Sequence, residues 1–294
     1  MDYISKKVKS VVLMTNPLKD KDYAEFFKVL GLLESQDADI RLLDSYRDIV
    51  GVRPGVTYYK EEQLYCSADA AIVLGGDGTI LRSAQYAIRE QCPILGVNLG
   101  RVGYMAEIGK DEVALITRLF EGRYKISERM TLNVRVIDGD RSYTVCEYAL
   151  NDAVFHSASI GRVLGFTVYC DGARVAEHRG DGVIVSTPTG STAYSMSAGG
   201  PVLDPVLECI CVTPVCSVSP AARSMIFSAD GEFHITACSD NRGEVFLSCD
   251  GSDGITISKN AKVIISRADK KAKLIAVGKK EFFNVLSKKI TSAM

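Results

Sequence analysis

The sequence predicts an N-terminal α/β domain on a parallel sheet, a C-terminal all-β, sandwich-like domain, and a last helix returning to the first domain. Apolar β-type runs alternate with helix-spaced segments over the first third. From about residue 128 the runs become short, and Asp138-Gly139, Asp171-Gly172, Asp230-Gly231 and Asp250-Gly251 punctuate them. Residues 279–290 then revert to helical spacing. A length of 294 residues fits two domains at about 150 residues each. The expected boundaries are 1–127 with 277–294 for the phosphate-binding α/β domain, and 128–276 for the β-rich nucleotide-binding domain.

Each element has a local reason. Residues 8–15 form an apolar run that ends at the turn dipeptide Asn16-Pro17. Residues 21–34 set Tyr23, Phe26, Phe27, Leu30 and Leu33 at helical spacing, and 39–43 is a short β-type run. The strand 70–74 runs directly into Gly75-Gly76-Asp77-Gly78-Thr79, and 80–90 puts Ile80, Leu81, Ala84, Ala87 and Ile88 on one helical face. Residues 93–97 read as a strand and 111–120 as a helix; strands alternating with helices imply a parallel sheet covered on both faces. The β-rich part reads as strands at 131–137, 143–149, 163–170, 183–186, 208–213, 232–238, 244–249, 262–266 and 272–276, a spacing that suggests an antiparallel sandwich. The last helix carries Phe282, Phe283, Val285, Leu286 and Ile290 on a face that must be buried.

Composition excludes several classes. Hydrophobic residues at 47% and charged residues at 24% are ordinary globular usage, which argues against disorder and coiled coils. Lys plus Arg is 35 and Asp plus Glu is 36, so no basic excess exists to drive nucleic-acid binding. No stretch approaches the roughly 18 apolar residues of a membrane span, and the first residues hold too short an apolar run for a secretory signal. The nine cysteines form no CxxC and fall mostly in apolar runs, as free thiols in a reducing cytoplasm would. Three scattered histidines and unclustered cysteines make a structural zinc site improbable.

Two segments carry chemistry. A strand, GGDGT and a helix arrange backbone N–H groups around an anion, because glycine allows close approach and the helix N-terminus is electropositive. Neither the P-loop pattern nor GxGxxG is present. Asp77 is unfavourable beside phosphate unless it faces a divalent metal or removes a proton from an attacking hydroxyl, and both belong to phosphoryl transfer. The plain alternative is a strand-to-helix turn with Asp77 as a cap. The second segment, 181–200, places seven hydroxyl residues among the ten from Ser186 to Ser195, around a turn at Pro188 and Gly190 and a helix start. It suits a polyhydroxylated ligand such as a ribose or nucleobase, or equally a helix whose hydroxyls satisfy local backbone. Asp181 after Arg179-Gly180, and Asn151-Asp152, are by themselves most simply turns.

Together these residues resemble the NAD kinase family over most of the chain. The resemblance rests on the Asn-Pro turn, Gly75-Gly76-Asp77-Gly78-Thr79, Asn98-Leu99-Gly100, Gly103-Tyr104-Met105, Asn151-Asp152, and the run Asp181-Gly182 through Ser186-Thr187-Pro188-Thr189-Gly190-Ser191-Thr192-Ala193-Tyr194-Ser195. It implies an α/β domain, a β-rich domain, and phosphorylation of NAD at the 2′-hydroxyl of the adenosine ribose, giving NADP. Asp77 would be catalytic. Gly75, Gly76, Gly78 and Thr79 would cradle phosphates, and Leu81 and Tyr104 would form an apolar wall. Asn151 and Asp152 would hydrogen-bond ribose or adenine. Thr189, Thr192, Ala193, Tyr194 and Ser195 would contact adenine and its ribose, and Asp181 with Arg179 would reach the nicotinamide half. The substrates implied are NAD and ATP, with a divalent metal, Mg2+, carried by ATP and Asp77 as its one side-chain neighbour. A homodimer or homotetramer with the site near a subunit interface is also implied; no nucleic-acid or membrane partner is expected.

Three departures stand out: Asp152 where many members have Glu, Tyr104 where Phe is common, and Val218 where many carry His. A lipid kinase of the diacylglycerol or sphingosine type shares GGDGT but would need an apolar or membrane-facing patch, and it gives no reason for the 181–200 run. A phosphofructokinase would need basic residues for a sugar phosphate. An inactive NAD-binding sensor would be expected to lack Asp77.

Overall fold

The computed structural model describes residues 6–100, 103–158, 163–240, 244–278 and 282–292. The chain divides into two compact units, Met1–Glu128 with Ala272–Met294, and Arg129–Lys271.

The first unit holds β1 (Ser10–Thr15), α1 (Ala24–Ser35), β2 (Asp39–Leu43), α2 (Arg47–Val50), β3 (Val56–Tyr59), α3 (Glu61–Leu64), β4 (Ala70–Gly75), α4 (Asp77–Arg89), β5 (Ile94–Asn98), β6 (Ile108–Gly109), α5 (Thr117–Phe120) and β7 (Lys125–Arg129). Its sheet runs β3-β2-β1-β4-β5 and continues through β20 (Ala272–Ala276) to β7, with β6 beside β5. Pairs from β3 to β5, and β5 with β20, are parallel. Strands covered on both faces read as unbroken apolar runs; all six residues of β4 are buried. Helix α1 turns Phe26, Val29, Leu30 and Leu33 inward, and α4 turns Ile80, Ala84, Ala87 and Ile88 inward. Strand order reverses between β1 and β4, and a doubly wound sheet binds ligands beyond the C-terminal strand ends at such a point. The Asn16-Pro17 turn and the GGDGT turn leave these two neighbouring strand ends.

Two expectations change here, and a third holds. The segment read as one helix over 111–120 is a 3₁₀ turn, Lys110–Ile116, running into the single turn α5. The strand at 272–276, read with the sandwich, joins the first sheet beside β5 because Leu274 pairs with Ile94 across a long loop of chain. The last helix, α7 (Phe282–Ser292), packs in the first unit, with the Phe282 ring 6.0 Å from that of Tyr104. Residues 279–281 of the expected helix, and the side chain of Ile290, lie outside the described residues.

The second unit is a sandwich of two six-stranded antiparallel sheets. Its strands are β8 (Leu132–Asp138), β9 (Arg141–Ala149), β10 (Asp152–Ser157), β11 (Leu164–Cys170), β12 (Ala173–Gly180), β13 (Gly182–Ser186), β14 (Cys209–Val215), β15 (Met225–Ser228), β16 (Phe233–Ala237), β17 (Val245–Cys249), β18 (Ile255–Ile257) and β19 (Lys262–Arg267). One sheet runs β15-β14-β13-β10-β17-β18 and the other β12-β11-β16-β19-β8-β9. Their inner faces share one core in which Phe155 meets Phe166 edge-on. Asp171 and Gly172, at φ 50° and 81°, make the tight turn joining β11 to β12, the left-handed pair a two-residue hairpin requires. Asn151-Asp152 is not only a turn: Asp152 opens the central strand β10, paired with β13 and β17. The helix expected from Ser191 is a 3₁₀ turn, Gly190–Thr192, then one α turn, α6 (Tyr194–Ser197).

Among the nine described cysteines all thiols are free: Cys92, Cys146, Cys211 and Cys249 are buried, while Cys66 and Cys216 are exposed. No helix is long and apolar enough to cross a membrane among the described residues.

Candidate active site

In the first unit Gly75 ends β4, Gly76 caps α4, and Asp77 is the first residue of the helix. The leading N–H groups of a helix have no partner inside it, and here they belong to Asp77 and Gly78. Thr79 is buried under the turn, where its Oγ1 accepts the Asn16 side-chain amide at 3.2 Å. A Cβ on Gly75 would lie 2.6 Å from Thr79 Cβ, so this position tolerates only glycine. The Asp77 carboxylate is fixed from outside its own helix. It accepts the backbone N–H of Tyr104 at 2.8 Å and that of Met105 at 3.1 Å, one on each oxygen. Each oxygen keeps a further acceptor site. Tyr104 is half-buried beside it; burial and the Asp77 charge raise the pKa of its phenol. Leu81 is half-buried in the next turn of α4.

The second unit assembles its own cluster. The loop after β13 lies flat on the start of β10: Thr187 N–H donates to the Asn151 carbonyl at 2.8 Å, and Thr187 Oγ1 donates to the Leu150 carbonyl at 2.6 Å. Gly190 N–H donates to Thr187 Oγ1 at 3.0 Å, and a Cβ on Gly190 would fall 2.7 Å from Asn151 Cα. The structure thus brings Asn151 against Thr187 and Gly190, as neither segment alone revealed. Asp152, Ser186 and Cys211 are cross-strand neighbours in one row of the sheet.

Much of the hydroxyl-rich run is self-satisfied. Ser191 Oγ donates to the Pro188 carbonyl at 2.6 Å and Thr192 Oγ1 to that of Thr189 at 3.2 Å. Ser195 is fully buried, with its hydroxyl 3.1 Å from Thr213 Oγ1. Thr192 and Ala193 are half-buried, whereas the Tyr194 ring is 48% exposed. Arg179 and Asp181 are exposed at the junction of β12 and β13. The Arg179 guanidinium pairs with Asp240, and its carbonyl accepts Val218 N–H at 2.8 Å, which sets Val218 beside it.

In the sequence Asp250, with Gly251, stands out only as punctuation between two strands. Its carboxylate also accepts three successive N–H groups, from Leu150 at 2.8 Å, Asn151 at 2.7 Å and Asp152 at 3.2 Å. Burial and the Asp250 charge push the Asp152 carboxyl up to about 7. Burial also raises the Asp250 carboxyl, against the opposing effect of its three N–H donors. The Asp250-Gly251 dipeptide marked a turn in the sequence, and both residues have left-handed φ, 52° and 69°; nothing local announced the anchor.

The described residues contain no group of three His, Cys, Asp or Glu side chains placed for a metal. A hard cation held mainly by phosphate oxygens would fit Asp77 as its single carboxylate neighbour.

A carboxylate pinned at the first turn of a helix, on a glycine turn at a doubly wound switch point, defines a phosphotransferase of the kinase type. The ATP-NAD kinase N-terminal domain family matches residues 29–124 and the ATP-NAD kinase C-terminal domain family matches residues 150–277. An NAD kinase of Carboxydothermus hydrogenoformans is 34% identical over 277 residues, 94% of this chain and 98% of that protein. The chain belongs to the NAD kinase family. Its fold resembles that of yeast NADH kinase complexed with NADH, with TM-score 0.86 at 22% identity over 96% of this chain and 87% of the other. It also resembles an NAD kinase from Archaeoglobus fulgidus in complex with ATP, with TM-score 0.74 at 23% identity over 96% and 99%.

Proposed function

We propose that this protein transfers the terminal phosphate of ATP to the 2′-hydroxyl of the adenosine ribose of NAD, giving NADP and ADP. The observation that carries the reading is the Asp77 carboxylate, fixed by two backbone N–H groups at the glycine turn with an acceptor site left on each oxygen. Asp77 takes the 2′-hydroxyl proton as that oxygen bonds to the terminal phosphorus. The bond from that phosphorus to the bridging oxygen breaks, and ADP leaves with the electron pair. Transfer is direct, without a phosphoenzyme. The turn at Gly75, Gly76, Gly78 and Thr79 holds donor phosphates through N–H groups and the helix dipole. Mg2+ would neutralise charge on those phosphates, with Asp77 as its protein neighbour.

Acceptor binding falls to the second unit. Asn151 and Asp152 offer polar groups to ribose and adenine, and an Asp152 carboxyl raised to about 7 can donate a hydrogen bond as well as accept one. Thr189, Thr192, Ala193 and the exposed Tyr194 ring flank the base; Ser195 supports them through Thr213. Asp181 and Arg179 lie toward the nicotinamide half. We place this NADP synthesis in the cytoplasm, carried out by a homodimer or homotetramer.

The test is NADP formation by purified protein from NAD, ATP and MgCl2, detected with glucose-6-phosphate dehydrogenase. NADH, polyphosphate and metal-free reactions run in parallel, with light scattering for subunit number. Wild-type protein that binds NAD but forms no NADP overturns the reading.

A further inference from the structure

The loop after β1 brings a cation to the glycine turn. Asn16 accepts the N–H groups of Lys19 at 2.9 Å and Asp20 at 3.0 Å on its carbonyl, and that of Leu18 at 3.0 Å on its side-chain oxygen. Asn16 N–H in turn donates to the Leu74 carbonyl at 3.0 Å, which ties this loop to the end of β4. Asp20, 3% exposed, accepts Thr15 Oγ1 at 2.9 Å and the first N–H groups of α1, those of Glu25 at 3.0 Å and Phe26 at 2.9 Å. The loop is therefore locked at both ends, and its exposed Lys19 reaches over the neighbouring turn. Lys19 Nζ occupies the space beside Gly76, 2.7 Å from where a Cβ would stand.

This is the wrong place for an unmatched cation. A helix N-terminus is positive, so a lysine beside it is disfavoured where an acid would be favoured. Neither nearby acid answers the charge: Asp20 faces α1 and Asp77 faces Tyr104 and Met105. Among the described residues no carboxylate forms an ion pair with Lys19. The arrangement becomes favourable only when an anion arrives, and a glycine at position 76 leaves the approach open.

We propose that Lys19 binds the phosphate chain of the donor, adding a charged hydrogen bond to the backbone N–H groups of the turn. This rests on the kinase reading for the identity of the donor, and on the geometry of the two loops for the site. Lys19 forms no covalent bond with the donor.

The experiment compares wild type, Lys19→Met and Lys19→Arg. Lys19→Met should raise KM for ATP at least about tenfold, the effect of losing one charged hydrogen bond, and leave KM for NAD within about twofold. Lys19→Arg should recover most of the loss. Inorganic tripolyphosphate, measured by calorimetry on the same proteins, should bind wild type and weaken by the same factor in Lys19→Met. An unchanged KM for ATP, or an equal rise in KM for NAD, overturns the proposal. Wild-type protein that forms no NADP overturns the kinase reading instead. The Lys19 proposal is then judged by tripolyphosphate: a tenfold weaker variant supports it, while equal affinity or no wild-type binding overturns it.

Discussion

The Asp152 carboxyl lies buried near that of Asp250, and only Asp250 is held by backbone donors, three of them in succession. The charge therefore settles on Asp250, and Asp152 is the partner that binds a proton as high as about pH 7. An acid whose folded value lies above its unfolded 3.8 contributes stability that is fully present below about pH 4 and lost as pH rises through about 7. Asp152→Asn removes that titration. The variant should match wild type near pH 4 and exceed it at pH 8 by on the order of 2–4 kcal/mol in urea unfolding. Parallel pH profiles for the two proteins would show that Asp152 does not titrate in this window.

Gly103 sets the position of the Asp77 carboxylate. A Cβ there would collide with the Asp77 carboxylate, which would have to leave the N–H groups of Tyr104 and Met105. Gly103→Ala should lower kcat by about tenfold or more, a displaced group costing roughly what a 1 Å misplacement does. KM for NAD and the melting temperature should stay close to wild type. A kcat within about twofold of wild type would mean that the carboxylate works equally well elsewhere.

Much of this architecture was legible because parallel strands buried on both faces write continuous apolar runs: β1, β4 and β5 stand out, as does GGDGT at the end of β4. Other elements were silent for physical reasons. Strand β12 is an edge in which only Gly180 is buried and Arg174, Glu177 and Arg179 are exposed, so Ala173–Gly180 carries no apolar pattern. Strand β10 begins with a buried acid, and Asp152 broke the run that Ala153, Val154 and Phe155 would have shown. Strand β20 resembles any sandwich strand, because pairing with β5 is a long-range choice that no window records. At the site, Asp77 and the hydroxyl-rich run were readable as chemistry. Asp250 and Lys19 were not, since their roles come from backbone donors and a glycine distant in sequence.

Gly190 ties the loop after β13 to the start of β10. Its α-carbon rests on Asn151, where a Cβ would lie 2.7 Å from Asn151 Cα, against backbone that cannot yield as a side-chain end can. Gly190→Ala should lift the loop from β10 and weaken NAD binding about tenfold or more while destabilising the fold by about 1–3 kcal/mol, the usual cost of overpacking. Calorimetry for NAD with a parallel urea titration checks both. Unchanged NAD affinity in a folded variant would separate Asn151 and Asp152 from the ligand.

Tyr194 presents an aromatic face that the protein itself leaves 48% exposed, beside loop hydroxyls already engaged with local backbone. Its removal should therefore cost little stability and much affinity. Stacking of a base on an aromatic ring is worth about 1–3 kcal/mol, so Tyr194→Ala should weaken NAD binding by about 5- to 100-fold. Tyr194→Phe should retain most of it, because the ring rather than the hydroxyl makes the contact. Equal NAD affinity in Tyr194→Ala and wild type would place this ring outside the site.

Asp77→Asn tests the reaction itself. The amide is the same size but carries no base, and one of its ends must face a backbone N–H with another N–H. NAD affinity should hold within about twofold because the acceptor cluster lies in the second unit, while turnover should fall by about 10²–10⁴, the usual contribution of a positioned general base. Asp77→Glu separates position from charge: it restores the carboxylate but displaces it from Tyr104 and Met105, and should recover only part of the rate. Turnover of Asp77→Asn within about threefold of wild type would remove Asp77 from the proton transfer and leave it as a helix cap.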